Sequence, residues 1–477
     1  RFAGQVTGIM GGYPGQTVTL TITTNESLLA NPGVIFTIAG GAIQNAPNVT
    51  SISSTNFEAS FLIDAQDNSG LVGITIVGLD LAGNAVSGNN AVTSTTDGSS
   101  VTIDSSPPII SNTSLVSNNV NYTTLATIGN IITLTFTTNE NITVPTVNFF
   151  SGGVAINGTV NYTPPAGVST NWTVTYQVNA LDTDGPVTIS ITATDVGGNT
   201  TTNYTTISGT NVTVDITPPN FTTTSIVSNN NINTLAKEGE VVTLTIVANE
   251  SLLNTPTVNF FSGNPAQAIT NPNQTNGSGA NWTASFDVDA ADTEGIVSIQ
   301  ITGTDLAGNT TNNFTTISNG SVTIDMTLPT VSIGTNAFIA NSTSNITPVP
   351  FTITSNEPTT NLAIGDVIAT NGTKSNFQAS STSVYTLDVT PIVDGACSVD
   401  ISGGSFTDFV GNGNVAATPF NWTFDSVSPS VSIGTNAFVA GSISNVTAVP
   451  FTFTTSDPTI NFTVGDTIPT NGSITNF

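Results

Sequence analysis

Asp104, Asp215, Asp325 and Asp425 are each followed within a few residues by Pro107, Pro218, Pro329 and Pro429, and they recur at about 100- to 110-residue intervals, the length of one β-sandwich domain. Around each sits a second layer of acids. An Asn-Glu pair ends an alternating apolar run at Glu26, Glu140, Glu250 and Glu357, with Asp457 at the matching place in a fifth copy. An Asp-x-x-Gly-Asn segment begins at Asp80, Asp195, Asp305 and Asp408. Carboxylates gathered in this way either repel one another or share a cation, and a set of oxygen donors without imidazole or thiolate suits Ca²⁺. The same residues also make good turns, because Gly and Asn accept positive φ and Asn-Glu can close a loop, so both readings stand at this point.

Other chemistry is scarce. The 477 residues include no His, one Cys and three basic side chains, Arg1, Lys237 and Lys374, against 30 Asp and Glu, for a net charge of -27. A Ser-His or Cys-His nucleophile and a His-built zinc or iron site are therefore excluded. Nucleic acid and anionic membrane surfaces need clusters of Lys and Arg that this chain does not have. A glycosidase would use a carboxylate pair once, in a cleft, and not once per repeat. The expectation is a protein that is not an enzyme. No run approaches the roughly 18 apolar residues of a membrane span, so no direct membrane insertion is expected. Arg1 opens no signal peptide, and the chain is expected to start within a strand and to stop within a repeat at Phe477.

The elements that must position the acids are strands. Hydrophobic residues make up 37% of the chain and charged residues 7%; Thr, Ser, Asn and Gly carry the polarity and favour strands and turns. Trp282, Ala284, Phe286 and Val288 alternate with polar residues, as do Trp172 to Val178 and Phe57 to Ile63, so one face is core and the other is wet. Pro145-Thr-Val-Asn-Phe-Phe-Ser-Gly152 returns at 256–263, and Val331-Ser-Ile-Gly-Thr-Asn-Ala-Phe338 returns at 431–438. The fold class is read as all-β, a tandem array of immunoglobulin-like β-sandwich units forming an elongated rod. Units are expected at 1–105, 106–216, 217–326, 327–426 (a second subtype) and, incomplete, 427–477. About seven strands each, A to G, are expected, with almost no helix.

In that tracing the B–C and F–G loops lie where the chain enters a unit and the E–F loop lies where it leaves. Linker Asp215 then meets Glu250 and Asp305 of the following unit and, from the preceding E–F loop, Asp182 and Asp184. The equivalent sets are Asp104, Glu140 and Asp195 at the first junction, Asp325, Glu357, Asp408, Asp292 and Glu294 at the third, and Asp425, Asp394 and Asp457 at the fourth.

The fourth unit, with Ile364-Gly-Asp-Val-Ile-Ala-Thr-Asn-Gly-Thr373, Val389-Thr-Pro391, Asp408-Phe-Val-Gly-Asn412 and Phe420-Asn-Trp-Thr-Phe-Asp425, resembles the bacterial Ig-like domains of giant surface adhesins. Units one to three are similar to related Ig-like repeats of microbial exoproteins. The resemblance implies an extracellular or cell-surface setting and a structural or adhesive role, as an adhesin stalk or a subunit of a self-assembling filament. A surface-layer lattice subunit and a carbohydrate-binding accessory array of a secreted enzyme are the alternatives. Self-association and a glycan or cell-surface ligand are the implied partners. The chain has 26 Asn-x-Ser/Thr sequons, and Asn121, Asn171, Asn203, Asn281, Asn313 and Asn421 are the candidates for glycosylation. Cys397 reads as a small core residue.

Overall fold

The structure is a computed structural model that describes residues 2–7, 11–86, 91–156 and 158–477; Arg1 lies outside the described residues. Strands dominate, and the only helical segments among the described residues are two single 3₁₀ turns, Ile364–Asp366 and Val464–Asp466. Among the described residues, no helix is long and apolar enough to cross a membrane.

The second unit shows the construction. Strand A (Ile110–Ser117), B (Ile131–Ile142), E (Ser169–Gln177) and D (Val160–Thr163) form one antiparallel sheet in the order A-B-E-D. Facing it, F (Gly185–Thr194) pairs with C (Thr146–Ser151) on one side and with the last strand, G (Thr213–Val214), on the other. Three short strands go beyond the expected seven, and one of them, Thr200–Tyr204, pairs with F. Leu125–Ala126, here A′, crosses to the second sheet and runs parallel to G, with Leu125 opposite Thr213. Val154–Ala155 folds back on C. The same A-B-E-D order returns in the first, third and fourth units, as 331–334, 349–355, 384–391 and 372–379 in the fourth.

Alternation does the packing. Trp172, Val174 and Tyr176 are buried while Asn171 is exposed, and cross-strand register places Phe136 opposite Trp172 and Ile246 opposite Trp282. The sheets meet through aromatic pairs, Phe36 with Phe61 (ring centroids 4.8 Å apart) and Phe260 with Phe286 (5.0 Å), an arrangement that adds contact energy to area burial. Four apolar clusters result, drawn from residues 18–103, 110–214, 221–324 and 349–424. Cys397 is buried in the last of these, and burial raises its thiol pKa. In residues 427–477 the hairpin of Val431–Gly434 with Thr452–Thr455 leaves Phe451 53% exposed, whereas Phe351, its counterpart, is 1% exposed under strands E to G of its own unit.

Candidate metal centres between the units

Each linker Asp belongs structurally to the unit before it. The N–H of Asp215 donates to the Ala126 carbonyl and that of Asp325 to the Ala236 carbonyl, both at 2.9 Å, which extends the A′–G pairing by one residue. The following unit brings the other two acids. Antiparallel bridges join Ile142 to Asp195, Leu252 to Asp305 and Thr359 to Asp408, so the Glu two residues earlier, at the end of strand B or just after it, stands beside the first Asp of the F–G turn.

The result is the same carboxylate triad three times: Asp104, Glu140 and Asp195; Asp215, Glu250 and Asp305; Asp325, Glu357 and Asp408. In each, one carboxylate oxygen per residue lies within 4.8 Å of the others, and the F–G Asp is buried. Burial, and then the neighbouring charges of Asp215, Asp305 and Asp184, push Glu250 up to about 7. Asp215 rises to about 6, through burial first and then Asp305 and Asp184. Glu140, Asp325 and Glu357 are also raised, with burial leading in each case. Oε1 of Glu357 is buried without a hydrogen-bond partner.

The E–F loop acids divide. Asp184 accepts the N–H of Ile216 at 2.7 Å and the Thr217 hydroxyl, and Glu294 accepts the N–H of Met326 and the Thr327 hydroxyl, both at 2.8 Å, so these two hold the linker at the edge of the triad. Their placement depends on Gly185 and Gly295, at φ +135° and +133°, where an added Cβ would come within 2.7 Å and 2.8 Å of the Cα atoms of Gly152 and Gly263. Asp182 and Asp292 turn the other way. Asp182 is buried and accepts the Tyr176 hydroxyl and, at 2.9 Å, the N–H of Asn179; Asp292 accepts the N–H of Asp289 at 3.0 Å. Both close their own loop and stay out of the junction. At the fourth junction Asp394 accepts Ser426, Asp425 accepts the N–H of Val427 and Asp457 accepts the Ser456 hydroxyl, and these three form no such triad.

The Asp-x-x-Gly-Asn turn and the triad share atoms. Asp305 Oδ1 accepts the N–H groups of Gly308 (2.7 Å) and Asn309 (2.9 Å), while Oδ2 accepts Asn309 Nδ2 (2.9 Å). The Asn makes a further bond that sequence reasoning missed, to the main-chain oxygen of the preceding linker Asp: Asn199 to Asp104 at 3.0 Å, Asn309 to Asp215 at 2.9 Å and Asn412 to Asp325 at 3.0 Å. Asn119 and Asn230, also missed, reach the same turns from the preceding unit, and the Ser-Asn-Asn run repeated at 117–119 and 228–230 is the signal that marks them. The six sequon residues Asn121, Asn171, Asn203, Asn281, Asn313 and Asn421 are all exposed.

Residues 325–423 match the bacterial Ig-like domain family. No curated protein matches the chain. Among solved structures, a tetra-tandem repeat from the extending region of a large adhesion protein aligns with 89% of this chain and 99% of its own at 15% identity and a TM-score of 0.34. Invasin, a bacterial integrin-binding protein, aligns with 91% of this chain and 82% of its own at 12% identity and a TM-score of 0.29. An I-band fragment of titin aligns with 69% of this chain and 98% of its own at 11% identity and a TM-score of 0.29. With its facing antiparallel sheets and separate cores, the chain is a tandem array of Ig-like sandwiches, and its residues 325–423 are those that match the bacterial Ig-like domain.

Proposed function

We propose that the chain is an extracellular structural and adhesive segment, a stalk or filament subunit whose Ig-like units are stiffened by Ca²⁺ at their junctions. The carrying observation is the recurrence of one carboxylate triad at three successive junctions, each assembled from a linker Asp, a Glu at the end of strand B or just after it and an F–G turn Asp. Three carboxylates, flanked at two junctions by Asp184 or Glu294, offer a hard cation oxygen donors only. Burial and neighbouring carboxylates raise Glu250 and Asp215, and a cation shared among them would offset that repulsion and give Oε1 of Glu357 a partner.

At roughly 35 Å per sandwich, the four units reach on the order of 150 Å, which serves to hold a partner away from a surface or to build a filament from like contacts. Self-association, a glycan or cell-surface ligand and glycans on the exposed sequons belong to this reading. No catalytic role is assigned, because the acids recur once per junction as structural punctuation does. The experiment is titration of the chelated chain with CaCl₂, followed by calorimetry and small-angle scattering. Heat of binding together with a narrower spread of particle dimensions is expected; absence of both overturns the calcium reading.

A further inference from the structure

The F–G turns make contacts with the preceding unit that involve no carboxylate–cation chemistry. At the second junction Asn119 Nδ2 donates to the Ala307 carbonyl at 2.8 Å, Thr127 Oγ1 donates to Asn309 Oδ1, and Asn309 Nδ2 donates to the Asp215 carbonyl at 2.9 Å. At the third, Asn230 Nδ2 reaches the Val410 carbonyl at 2.8 Å, Lys237 Nζ reaches the Gly411 carbonyl at 2.6 Å, and Asn412 Nδ2 reaches the Asp325 carbonyl at 3.0 Å. Thr127 and Lys237 hold the same place, directly after the A′ strands Leu125–Ala126 and Leu235–Ala236. Different side chains thus fill one role. At the first junction Asn199 bonds the Asp104 carbonyl, and the Tyr13 ring lies against Gly197, where an added Cβ would come within 2.2 Å of it.

The turn is complete before it docks. In the first unit Asp80 accepts the N–H groups of Ala82 (2.9 Å) and Asn84 (2.8 Å) and the Asn84 side chain (2.8 Å), so both bonds from the turn's Asn match those of Asn309 to Asp305, with Ala82 exposed. Ala307, its counterpart in the third unit, is 1% exposed. A rigid turn therefore enters a prepared seat, and little conformational entropy is lost in seating it.

We propose that the outgoing end of each unit, made of the A–A′ loop, the start of the A′–B loop and the linker Asp carbonyl, is a receptor for the Asp-x-x-Gly-Asn turn of the next unit, and that this seat sets the mean angle between neighbours with or without a bound cation. Asn119 with Thr127, and Asn230 with Lys237, are its positioning residues. A cation then restricts motion about an angle the seat has already chosen. This stands independently of the calcium reading.

The test uses the full chain in a Cys397→Ser background, with spin labels on Asn148→Cys and Asn259→Cys across the second junction and, in a second sample, on Asn259→Cys and Ile368→Cys across the third. These are exposed positions on the C strands of successive units. Distances are read in chelator by double electron-electron resonance. The parent is expected to give one narrow distance at each junction. Thr127→Val with Asn119→Asp removes both donors while an aspartate oxygen still accepts the N–H groups of Asn121 and Tyr122, and it should widen the second-junction distribution about twofold and shift its mean, with the third unchanged. Thr127→Val alone, nearly isosteric, should give a smaller change, and an unaltered thermal melt shows the second sandwich intact. A parent already as broad as the double variant in chelator, or a double variant with the parent's distribution, overturns the proposal. Failure of the calcium reading looks different: CaCl₂ leaves the parent's distributions as they were in chelator.

Discussion

Asn309 and Asp215 lie 94 residues apart in the chain, yet the side-chain amide of the first donates to the main-chain oxygen of the second at 2.9 Å while also holding the buried carboxylate of Asp305. One residue thereby closes its own turn, fixes a candidate ligand and ties two sandwiches together.

Glu250→Gln should remove one calcium site of three and leave the others. Glu250 forms no part of the Asp305 turn's internal bonds, so the sandwich has no reason to melt earlier. Loss of a carboxylate ligand should weaken calcium at that junction about tenfold or more, read by isothermal titration against the parent. Equal stoichiometry and affinity in both would place the cation elsewhere.

The junctions should respond to pH in chelator. Glu250 at about 7 and Asp215 at about 6 lie above their ordinary values of 4.5 and 3.8, so the assembled state binds more protons than the unfolded one. Their effect on stability is therefore unfavourable at neutral pH and is relieved as pH falls from about 7 towards 5. The melting temperature in chelator should rise over that window, and Ca²⁺ at pH 7 should release protons, seen as a calorimetric heat that changes with the buffer's ionisation enthalpy.

Phe286→Ala should destabilise the third sandwich by about 3–5 kcal/mol, the cost of emptying a large buried aromatic site. Phe286 is 0% exposed and packs on Phe260 within a cluster confined to residues 221–324. Hydrogen exchange should quicken there and stay unchanged in the sandwich of residues 18–103.

Trypsin should cut the native chain slowly. Its two internal sites are Lys237, whose ammonium caps the Gly411 carbonyl, and Lys374, whose ammonium bonds the carbonyls of Ile364 and Val367 within a strand. Heating should release fragments ending at both lysines. Rapid cleavage after Lys237 alone, in the cold, would mean that the third junction opens in solution.

The sandwich was legible because period-two alternation, as from Trp282 to Val288, cannot face a single core in any other way, and because near-identical runs set the repeat length. Asp104, Glu250 and Asp305 were legible through recurrence in loops that the strand order brings to one end. Asp182 and Asp292 misled because they sit two residues from Asp184 and Glu294 and share their chemistry. Side-chain direction separates them: Asp67, Asp182 and Asp292 each accept the N–H of the residue three before, Asp64, Asn179 or Asp289, and are spent on that turn. Asn309 was read as a turn former because its second bond depends on a partner about one whole unit away, which no local spacing reveals.

The joints between sandwiches also have a direction in time. The amide–carbonyl bonds that close them span 95, 94 and 87 residues, always from a late turn back to an earlier linker. In a chain that emerges amino end first, the seat is finished before its occupant exists, and the occupant exists only once strand F of the next sandwich has been threaded. No joint can form before strand F of the incoming sandwich has been made, so such a chain assembles link by link.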